Sequence, residues 1–365
     1  MNKYSRIILH VGLSKTGSTS MQDNCALHRQ FLAQRGVVYP QFDFEGEAFS
    51  NHSIVVTGAI TQEPGRYGLR LPQRFPGREQ DVLQACASQL SELLSNGVGQ
   101  TLVLSTELIE NFGPEDAGVL RDQLAAATDE LRVVAFVRSP VDSLTSLLQE
   151  RVKAGINVSP EKLAGRVRAK CDRIQQHFGE LAQFENYHDA AMHPDGLVGA
   201  WFELLGIDRG ALTQLELVDR NASLSQEAYT LMRAVNHAYP MSEQAVHNVP
   251  RFPYDLDVLM QLPGQRFMLP GLRDSAAYQV CLGETVWLQD ALGLAFPEDI
   301  QEVQGELWQT ETIAALENLV GKIEHPALRN TIAGELAVQS DQLCQARPAD
   351  AARLQDIANV LRLAD

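Results

Sequence analysis

The sequence predicts an α/β fold in which helices flank a central parallel sheet, followed by a mostly helical C-terminal part. Short apolar runs alternate with amphipathic stretches as far as about residue 155, a pattern typical of parallel strands joined by crossover helices. Beyond that point helical periodicity dominates, as in Ile313, Leu316, Leu319, Val320 and Ile323. Apolar residues make up 45% of the 365 residues, which excludes a disordered chain.

The first elements form a strand, a loop and a helix. Arg6–Val11 (RIILHV) is a short β-rich run that leads into a loop at residues 12–17. Apolar residues with helical spacing predict a helix over 18–35, which the next glycine ends. Residues 37–39 form a second short strand before a proline. Residues 41–78 are rich in Gly, Pro and polar groups, and we predict a long, partly ordered loop there.

The alternation continues from residue 81. Amphipathic and apolar runs predict in turn a helix, a strand, a helix, a strand and a helix, at residues 81–94, 101–104, 113–126, 131–137 and 141–154. The strongest strand signal is 131–137 (LRVVAFV), and 215–218 is the best strand candidate after residue 155. Parallel sheets bind ligands at the carboxyl ends of their strands, which directs attention to residues 12–19, 105–107 and 138–146.

The charge balance excludes some classes of partner. The chain has 46 acidic and 30 basic residues and a net charge of -16, whereas a nucleic acid or an anionic membrane surface needs a basic face. A small cationic pocket for a phosphorylated ligand is still compatible with this charge. No apolar run approaches the ~20 residues of a membrane span, and the N-terminus does not resemble a signal peptide. We therefore expect no nucleic-acid partner and no transmembrane segment.

The cysteines and histidines give no sign of a metal site. The five cysteines are far apart, odd in number and without a CxxC motif: Cys25, Cys86, Cys171, Cys281 and Cys344. This usage fits free thiols in a reducing compartment, so we expect a cytoplasmic protein. The nine histidines are scattered and form no HExxH motif, so no metal ligand set is expected.

Residues 12–19, Gly-Leu-Ser-Lys-Thr-Gly-Ser-Thr, join the first strand to the first helix. Free N–H groups at a helix start favour an anion, Lys15 adds a point charge, and Ser18 and Thr19 add hydroxyl donors. The central parallel sheet is therefore expected to be P-loop-like, with an anion-binding loop after its first strand. The nucleotide triphosphate motif places its lysine after the last glycine, however, whereas Lys15 precedes Gly17 by two residues. The alternative is an ordinary tight turn with an exposed lysine.

Two motifs occur in a fixed order on these elements. The first is Lys-Thr-Gly-Ser-Thr-Ser at residues 15–20, and the second is a strand ending in Arg138, with Ser146 eight residues on. Together they resemble the motifs of sulfotransferases that use 3′-phosphoadenosine-5′-phosphosulfate (PAPS). Further stretches are similar to the bacterial, carbohydrate-type branch of that family, at residues 36–40, 51–52, 105–107, 221–225 and 287–298. The similarity spans about residues 5–300, and the Arg-Lys-Gly signature of the cytosolic animal enzymes is absent.

The resemblance implies a role for each motif residue. The 5′-phosphosulfate would be bound by Lys15, Thr16, Gly17, Ser18, Thr19 and Ser20. Lys15 would also stabilise charge on the leaving oxygen, while Arg138 and Ser146 would bind the 3′-phosphate. The product would be 3′-phosphoadenosine-5′-phosphate (PAP), and no metal would be required.

A hydroxyl acceptor also needs a general base, and two residues are candidates. Glu107 follows the 101–104 strand and should lie at the crevice, although it could equally be a helix N-terminal carboxylate. His52 lies in the long loop where acceptor-binding residues are expected, and its ordinary pKa near 6.5 suits base work. The alternative for His52 is a solvated loop histidine. The resemblance slightly favours His52, because related enzymes often use a His or Glu from these regions, and the residues themselves do not rank the two.

The implied organisation is a sulfotransferase domain over residues 1–300 with a helical extension at 301–365. Within the domain, 1–155 would be the PAPS-binding α/β core and 156–300 a mostly helical acceptor-side part. The implied reaction moves a sulfuryl group from PAPS to a hydroxyl, or less readily an amine, of a saccharide, lipid or small-metabolite acceptor. The alternatives are a P-loop kinase-like phosphotransferase and a non-catalytic nucleotide-fold binding protein. The sequence indicates neither the acceptor nor the oligomeric state.

Overall fold

The computed structural model forms two compact units. It describes residues 3–44, 46–61, 63–69, 71–218, 223–240, 253–269, 271–296 and 307–363. The first unit comprises Met1–Ser143, Gly165–Asn221 and Leu282–Pro297, and the second comprises Leu144–Ala164, Ala222–Cys281 and Glu298–Asp365. The domain limits expected at residues 155 and 300 stay predictions.

A five-stranded parallel sheet forms the centre of the first unit. Within the described residues the strands are β1 (Arg6–Val11), β2 (Val37–Val38), β3 (Phe42–Phe44), β4 (Glu47–Phe49), β5 (Thr101–Thr106), β6 (Leu131–Val137) and β7 (Ala182–Asn186). The sheet order is β2-β5-β1-β6-β7, and β3 pairs with β4 as an antiparallel hairpin. Ile7 of β1 lies opposite Leu102 of β5 and Leu131 of β6. The strand order reverses at β1, and ligands of open parallel sheets bind at such a point.

Helices follow most strands and continue through the second unit. In the described part of the chain they are α1 (Ser18–Leu27), α2 (Arg29–Ala33), α3 (Ser53–Ile60), α4 (Leu71–Arg74), α5 (Glu79–Ser95), α6 (Pro114–Ala126), α7 (Pro140–Lys153), α8 (Arg166–Phe178), α9 (Tyr187–Ala191), α10 (Gly196–Leu204), α11 (Arg209–Leu212), α12 (Gln226–Ala238), α13 (Pro253–Met260), α14 (Ala276–Leu292), α15 (Thr310–Val320), α16 (Pro326–Leu343) and α17 (Pro348–Leu363).

Alternate residues of the strands face two apolar layers, because side chains of a strand point to opposite faces in turn. One layer joins Leu9, Leu104 and Val133 to α5, α6 and α8. The other joins Ile8 and Val134 to α1 and α10. Parallel strands covered on both faces read as near-continuous apolar runs, which is why the sequence revealed β1 and β6. The predicted α/β class with flanking helices is confirmed.

The second unit is built from helices in its described residues. Pro326–Leu343 and Pro348–Leu363 pack along each other and complete the helical C-terminus that the sequence predicts. The carboxylate of Glu227, at the start of α12, accepts hydrogen bonds from the backbone N–H groups of Gln265 and Trp308, at 3.1 Å each. No helix in the described ranges is long and apolar enough to cross a membrane.

Three local predictions are corrected by the structure. The helix expected over 18–35 is two helices, α1 and α2, which meet at His28. The stretch 41–78 is more regular than the loop expected there, because it holds β3, β4, α3 and α4. Residues 215–218 are not a strand; the side chain of Asn24 instead binds both the N–H (2.9 Å) and the C=O (2.7 Å) of Val218.

Candidate active site

The loop after β1 and the segment after β5 meet at Gly12. Its N–H donates to the carbonyl of Thr106 at 2.7 Å, which joins the ends of the two strands. A Cβ at this position would collide with Oγ of Ser18 and would lie 2.9 Å from Cγ of Glu107. Glycine is therefore required here, since the loop, the start of α1 and the side chain of Glu107 share one confined space.

The loop after β1 contains two residues with a left-handed backbone. Lys15 has a left-handed backbone (φ 67°), which is uncommon for a residue with a side chain, and Gly17 follows it with φ 75°. Helix α1 starts at Ser18 without a side-chain cap, which leaves its first N–H groups for another acceptor. The hydroxyl of Ser18 is buried and has no hydrogen-bond partner. The hydroxyl of Thr16 is engaged within the loop, where it donates to the carbonyl of Leu13 at 2.8 Å.

The other two serine-threonine positions of the motif differ in environment. Thr19 is exposed on the first turn of α1, whereas Ser20 is buried. The carbonyl of Ser20 accepts a hydrogen bond from Nδ2 of Asn24 at 2.7 Å. Ser20 therefore contributes to the packing of α1, and Thr19 is the one of the pair that solvent reaches.

Arg138 directly follows β6 and binds the loop after β1. Its Nη1 donates to the carbonyl of Lys15 at 3.2 Å, and its guanidinium lies 5.1 Å from the ring centroid of Tyr187. Its Nε is buried and has no hydrogen-bond partner. Arg138 therefore fixes the backbone of Lys15, and its buried Nε is a donor that a ligand could use.

The start of α7 is pinned beside Arg138. Oγ of Ser139 donates to Oδ2 of Asp142 at 3.1 Å, and the N–H of Asp142 donates back to Ser139 at 3.2 Å. His188, next to Tyr187, lies 3.2 Å from the same carboxylate oxygen. Ser146 lies further along α7, is half-buried and belongs to the second unit. Its role at the 3′-phosphate stays a prediction.

His52 and Glu107 are neighbours of the same strand end but have different environments. His52 is fully buried; its Nδ1 accepts the N–H of Ser105 (3.1 Å), and its Nε2 lies 3.2 Å from the carbonyl of Pro40. Nε2 must carry the proton, because only a donor can bind that carbonyl. The ring also packs on Tyr39, with centroids 4.5 Å apart, and burial lowers its pKa to about 3. Both ring nitrogens of His52 are engaged, so neither can accept a further proton.

The carboxyl of Glu107 is half-buried beside the anion loop. The N–H of Glu107 donates to Oγ of Ser53 at 2.9 Å, which fixes the backbone at the end of β5. Burial raises the pKa of this carboxyl, the charge of Glu110 raises it further, and the ammonium of Lys15 lowers it. The structure therefore brings Lys15, Ser18 and Glu107 together around Gly12 and places His52 in the protein interior.

Sequence reasoning missed a third cation at this loop, besides Lys15 and Arg138. Nζ of Lys170, on α8, donates to Oγ of Ser14 at 2.8 Å and to Oε1 of Glu110 at 2.6 Å. No motif contains Lys170, and 155 residues of sequence separate it from Lys15. The sequence signal that could have indicated it is that the cationic residues of α8 lie beside the apolar face of that helix. Among the described residues, no group of three or more His, Cys, Asp or Glu side chains could hold a metal ion.

Comparisons with known proteins give structural likeness alone. No family model and no curated protein sequence matches the chain. The solved sulfotransferase from Alicyclobacillus acidocaldarius is 15% identical and has a TM-score of 0.35, covering 65% of this chain and 94% of that chain. The sulfotransferase domain of the Synechococcus PCC 7002 olefin synthase is 13% identical with a TM-score of 0.39, covering 81% and 98%. The sulfotransferase domain from the curacin biosynthetic pathway is 14% identical with a TM-score of 0.33, covering 56% and 75%.

Proposed function

We propose that this protein is a PAPS-dependent sulfotransferase that transfers a sulfuryl group to a hydroxyl of a small-molecule or saccharide acceptor. The observation that carries the proposal is a pair of buried, unpartnered donors near Lys15, namely Oγ of Ser18 and Nε of Arg138, whose Nη1 binds the carbonyl of Lys15. Buried donors are almost always hydrogen-bonded in folded proteins. Two orphaned donors and an uncapped helix start around one lysine therefore favour an anionic ligand.

The residues present fit a ligand with phosphate and sulfate groups. The N–H groups of residues 16–19, with the hydroxyls of Ser18 and Thr19, would hold its 5′ end, and Arg138 would hold the 3′-phosphate. When bound, PAPS supplies the sulfuryl group that is transferred. The ammonium of Lys15 stabilises the negative charge that develops at the 5′ end, because it is a fixed charge in a partly buried site.

Glu107 is the general base in this proposal. Its carboxyl is half-buried and lies against Gly12, and its raised pKa makes it a better proton acceptor than an ordinary glutamate. The carboxylate would take the proton of the acceptor hydroxyl as the bond between the acceptor oxygen and sulfur forms and the bond between sulfur and the 5′-phosphate oxygen breaks, with PAP as the leaving group. His52 cannot do this from its present position, because both of its ring nitrogens are already bonded.

Ligand binding tests the nucleotide part of the proposal. We expect PAP without metal to raise the melting temperature, adenosine 5′-phosphate to raise it less, and ATP with magnesium to have the smallest effect. Arg138→Ala should remove most of the difference between PAP and adenosine 5′-phosphate. Arg132→Ala is the matched control, since Arg132 lies at the other end of β6 and pairs with Glu130 at 2.6 Å.

Equal stabilisation by PAP and adenosine 5′-phosphate would contradict the assignment of Arg138, and strongest stabilisation by ATP with magnesium would favour the kinase-like alternative. Incubation with radiolabelled PAPS and a panel of saccharide, lipid and small-metabolite acceptors then tests transfer. PAP binding without transfer to any acceptor would favour the non-catalytic alternative.

A further inference from the structure

One lysine of α8 contacts both loops of the candidate site while belonging to neither. Nζ of Lys170 donates to Oγ of Ser14, next to Lys15, and to Oε1 of Glu110, three residues after Glu107. Glu110 lies in the single helical turn Ile109–Asn111 that follows β5. The ammonium therefore joins the anion loop to the segment that carries the candidate base.

Helix α8 is fixed where it presents Lys170. Positions 170, 173 and 177 lie on one face of the helix, and each donates to the segment after Glu107. Nη1 of Arg173 donates to the carbonyl of Glu110 at 2.9 Å, and Nε2 of His177 donates to the carbonyl of Phe112, also at 2.9 Å. The adjacent face of α8 is buried in the core through Ile174 and Phe178. Lys170 therefore projects from a rigid element.

The ion pair itself gives little reason for Lys170 to be here. Glu110 is 5% exposed, and desolvation of two charges cancels much of the attraction in a buried ion pair. The side chain of Lys170 is only 19% exposed. An ammonium has three N–H donors, and the second described acceptor is the Ser14 hydroxyl. The geometry thus directs a half-buried charge, held by two hydrogen bonds, at the anion loop.

Two cationic side chains bind the anion loop at adjacent residues. Arg138 binds the carbonyl of Lys15 from the end of β6, and Lys170 binds the side chain of Ser14 from α8. Lys15 has an uncommon left-handed backbone, which persists only where surrounding contacts impose it. Loss of either tether should give the loop access to other conformations.

We propose that Lys170 is a positioning residue that acts through Ser14, holding the anion loop in register with the segment that carries Glu107. Its effect on loop order is independent of the reaction, and its effect on ligand binding and turnover rests on the proposed sulfotransferase function. The side-chain oxygen of Glu110 is the other acceptor that keeps Lys170 in place.

Hydrogen–deuterium exchange of the whole protein measures the loop directly. Glu110→Gln keeps an acceptor for Lys170, so residues 12–20 should exchange at near wild-type rates. Adding Lys170→Met to that variant avoids an unpaired buried carboxylate and should speed exchange of residues 12–20 about tenfold, while α5 stays unchanged. Ser14→Ala should give the same result. Arg168→Met is the control on the same helix, since Arg168 contacts Asp172 and Trp287 instead of the loop.

The combination of Ser14→Ala with Lys170→Met and Glu110→Gln decides whether Lys170 acts through Ser14. We expect the combined variant to show the same loop exchange and the same PAP affinity as Ser14→Ala alone and as the Lys170→Met, Glu110→Gln variant alone. In each of them PAP affinity should fall about tenfold, because the positioning of the loop is lost. Lys170→Arg should restore part of both. Additive losses would overturn action through Ser14, and wild-type exchange in the Lys170→Met, Glu110→Gln variant would overturn the positioning role. Faster exchange in a protein whose wild type does not bind PAP would support positioning and refute the sulfotransferase function.

Discussion

The start of α3 and the segment after β5 are neighbours that offer two candidate bases in opposite environments. His52 is bonded to Ser105 through both its backbone and its ring, so the histidine fastens α3 to the end of β5. Glu107, two residues past Ser105, leaves its carboxyl beside Lys15. The comparison shows that two side chains near one motif can differ in whether a lone pair is available, which is why we propose Glu107 as the base. A base needs a lone pair that no other donor occupies and a side chain that the acceptor can reach.

The largest expected effect comes from Glu107. Glu107→Gln keeps the shape of the side chain but cannot take a proton, so turnover should fall about 10²–10⁴-fold. PAP affinity should change little, because in the proposed arrangement the anion loop and Arg138 hold the anionic groups of the ligand. Transfer from radiolabelled PAPS and calorimetry with PAP measure the two quantities. Glu115→Gln, in the first turn of α6, is the matched control. Unchanged turnover in Glu107→Gln would remove Glu107 as the base.

Lys15 should show the next largest effect. In the proposed mechanism Lys15→Ala removes a charge that acts on the reacting groups, which should cost about 2.7–4 kcal/mol or roughly a hundred- to a thousandfold in turnover. Its effect on PAP affinity should be smaller, because the interaction strengthens in the transition state. Lys153→Ala, at the end of α7, is the control. Equal losses in turnover and in affinity would show that Lys15 binds the ligand without favouring the transition state.

His52 should affect stability instead of chemistry. His52→Ala leaves the N–H of Ser105 and the carbonyl of Pro40 without their partner, and each unsatisfied buried group costs about 1–3 kcal/mol. The free energy of unfolding should therefore fall by about 2–5 kcal/mol, including the cavity left by the ring. Denaturant titration measures this loss, and turnover of the folded fraction should stay near wild type. A large loss of turnover at full stability would restore His52 as the base.

The pH dependence of the free energy of unfolding should also show that His52 is buried in its neutral form. Burial lowers the pKa of His52 to about 3 and that of buried His10 to about 4, so the unfolded chain binds more protons than the folded one below pH 6.5. Stability is therefore fully present above about pH 6.5 and is lost as the pH falls. Each histidine contributes a slope of about 1.4 kcal/mol per pH unit, and His52→Ala should remove one of the two.

Sequence reasoning found the elements whose signal is local. β6 is Leu131–Val137, as predicted, because a strand buried on both faces is one apolar run. β7, with the sequence AQFEN, escaped because an edge strand pairs on one side only and is half-buried here. Local and long-range signals differ in the candidate site too. Lys15, Ser18 and Glu107 follow strands, whereas Lys170 reaches Ser14 across 156 positions of the chain. Only the packing of α8 brings that pair together, and no local pattern encodes it.

The smallest expected effect is a shift in the pH profile of turnover, and its sign separates the two candidate bases. Glu107 works deprotonated, so turnover should fall on the acidic side as the pH passes through its raised pKa. Glu110→Gln removes a negative charge that raises this pKa, and the acidic limb should move to lower pH. Lys15→Ala removes a positive charge that lowers the pKa, and the limb of its residual activity should move to higher pH. The ratio kcat/KM measured between pH 4 and 8 reports the free enzyme. An acidic limb that stays near pH 6.5 in both variants would contradict the assignment of Glu107 as the base, since neither charge would then act on the base.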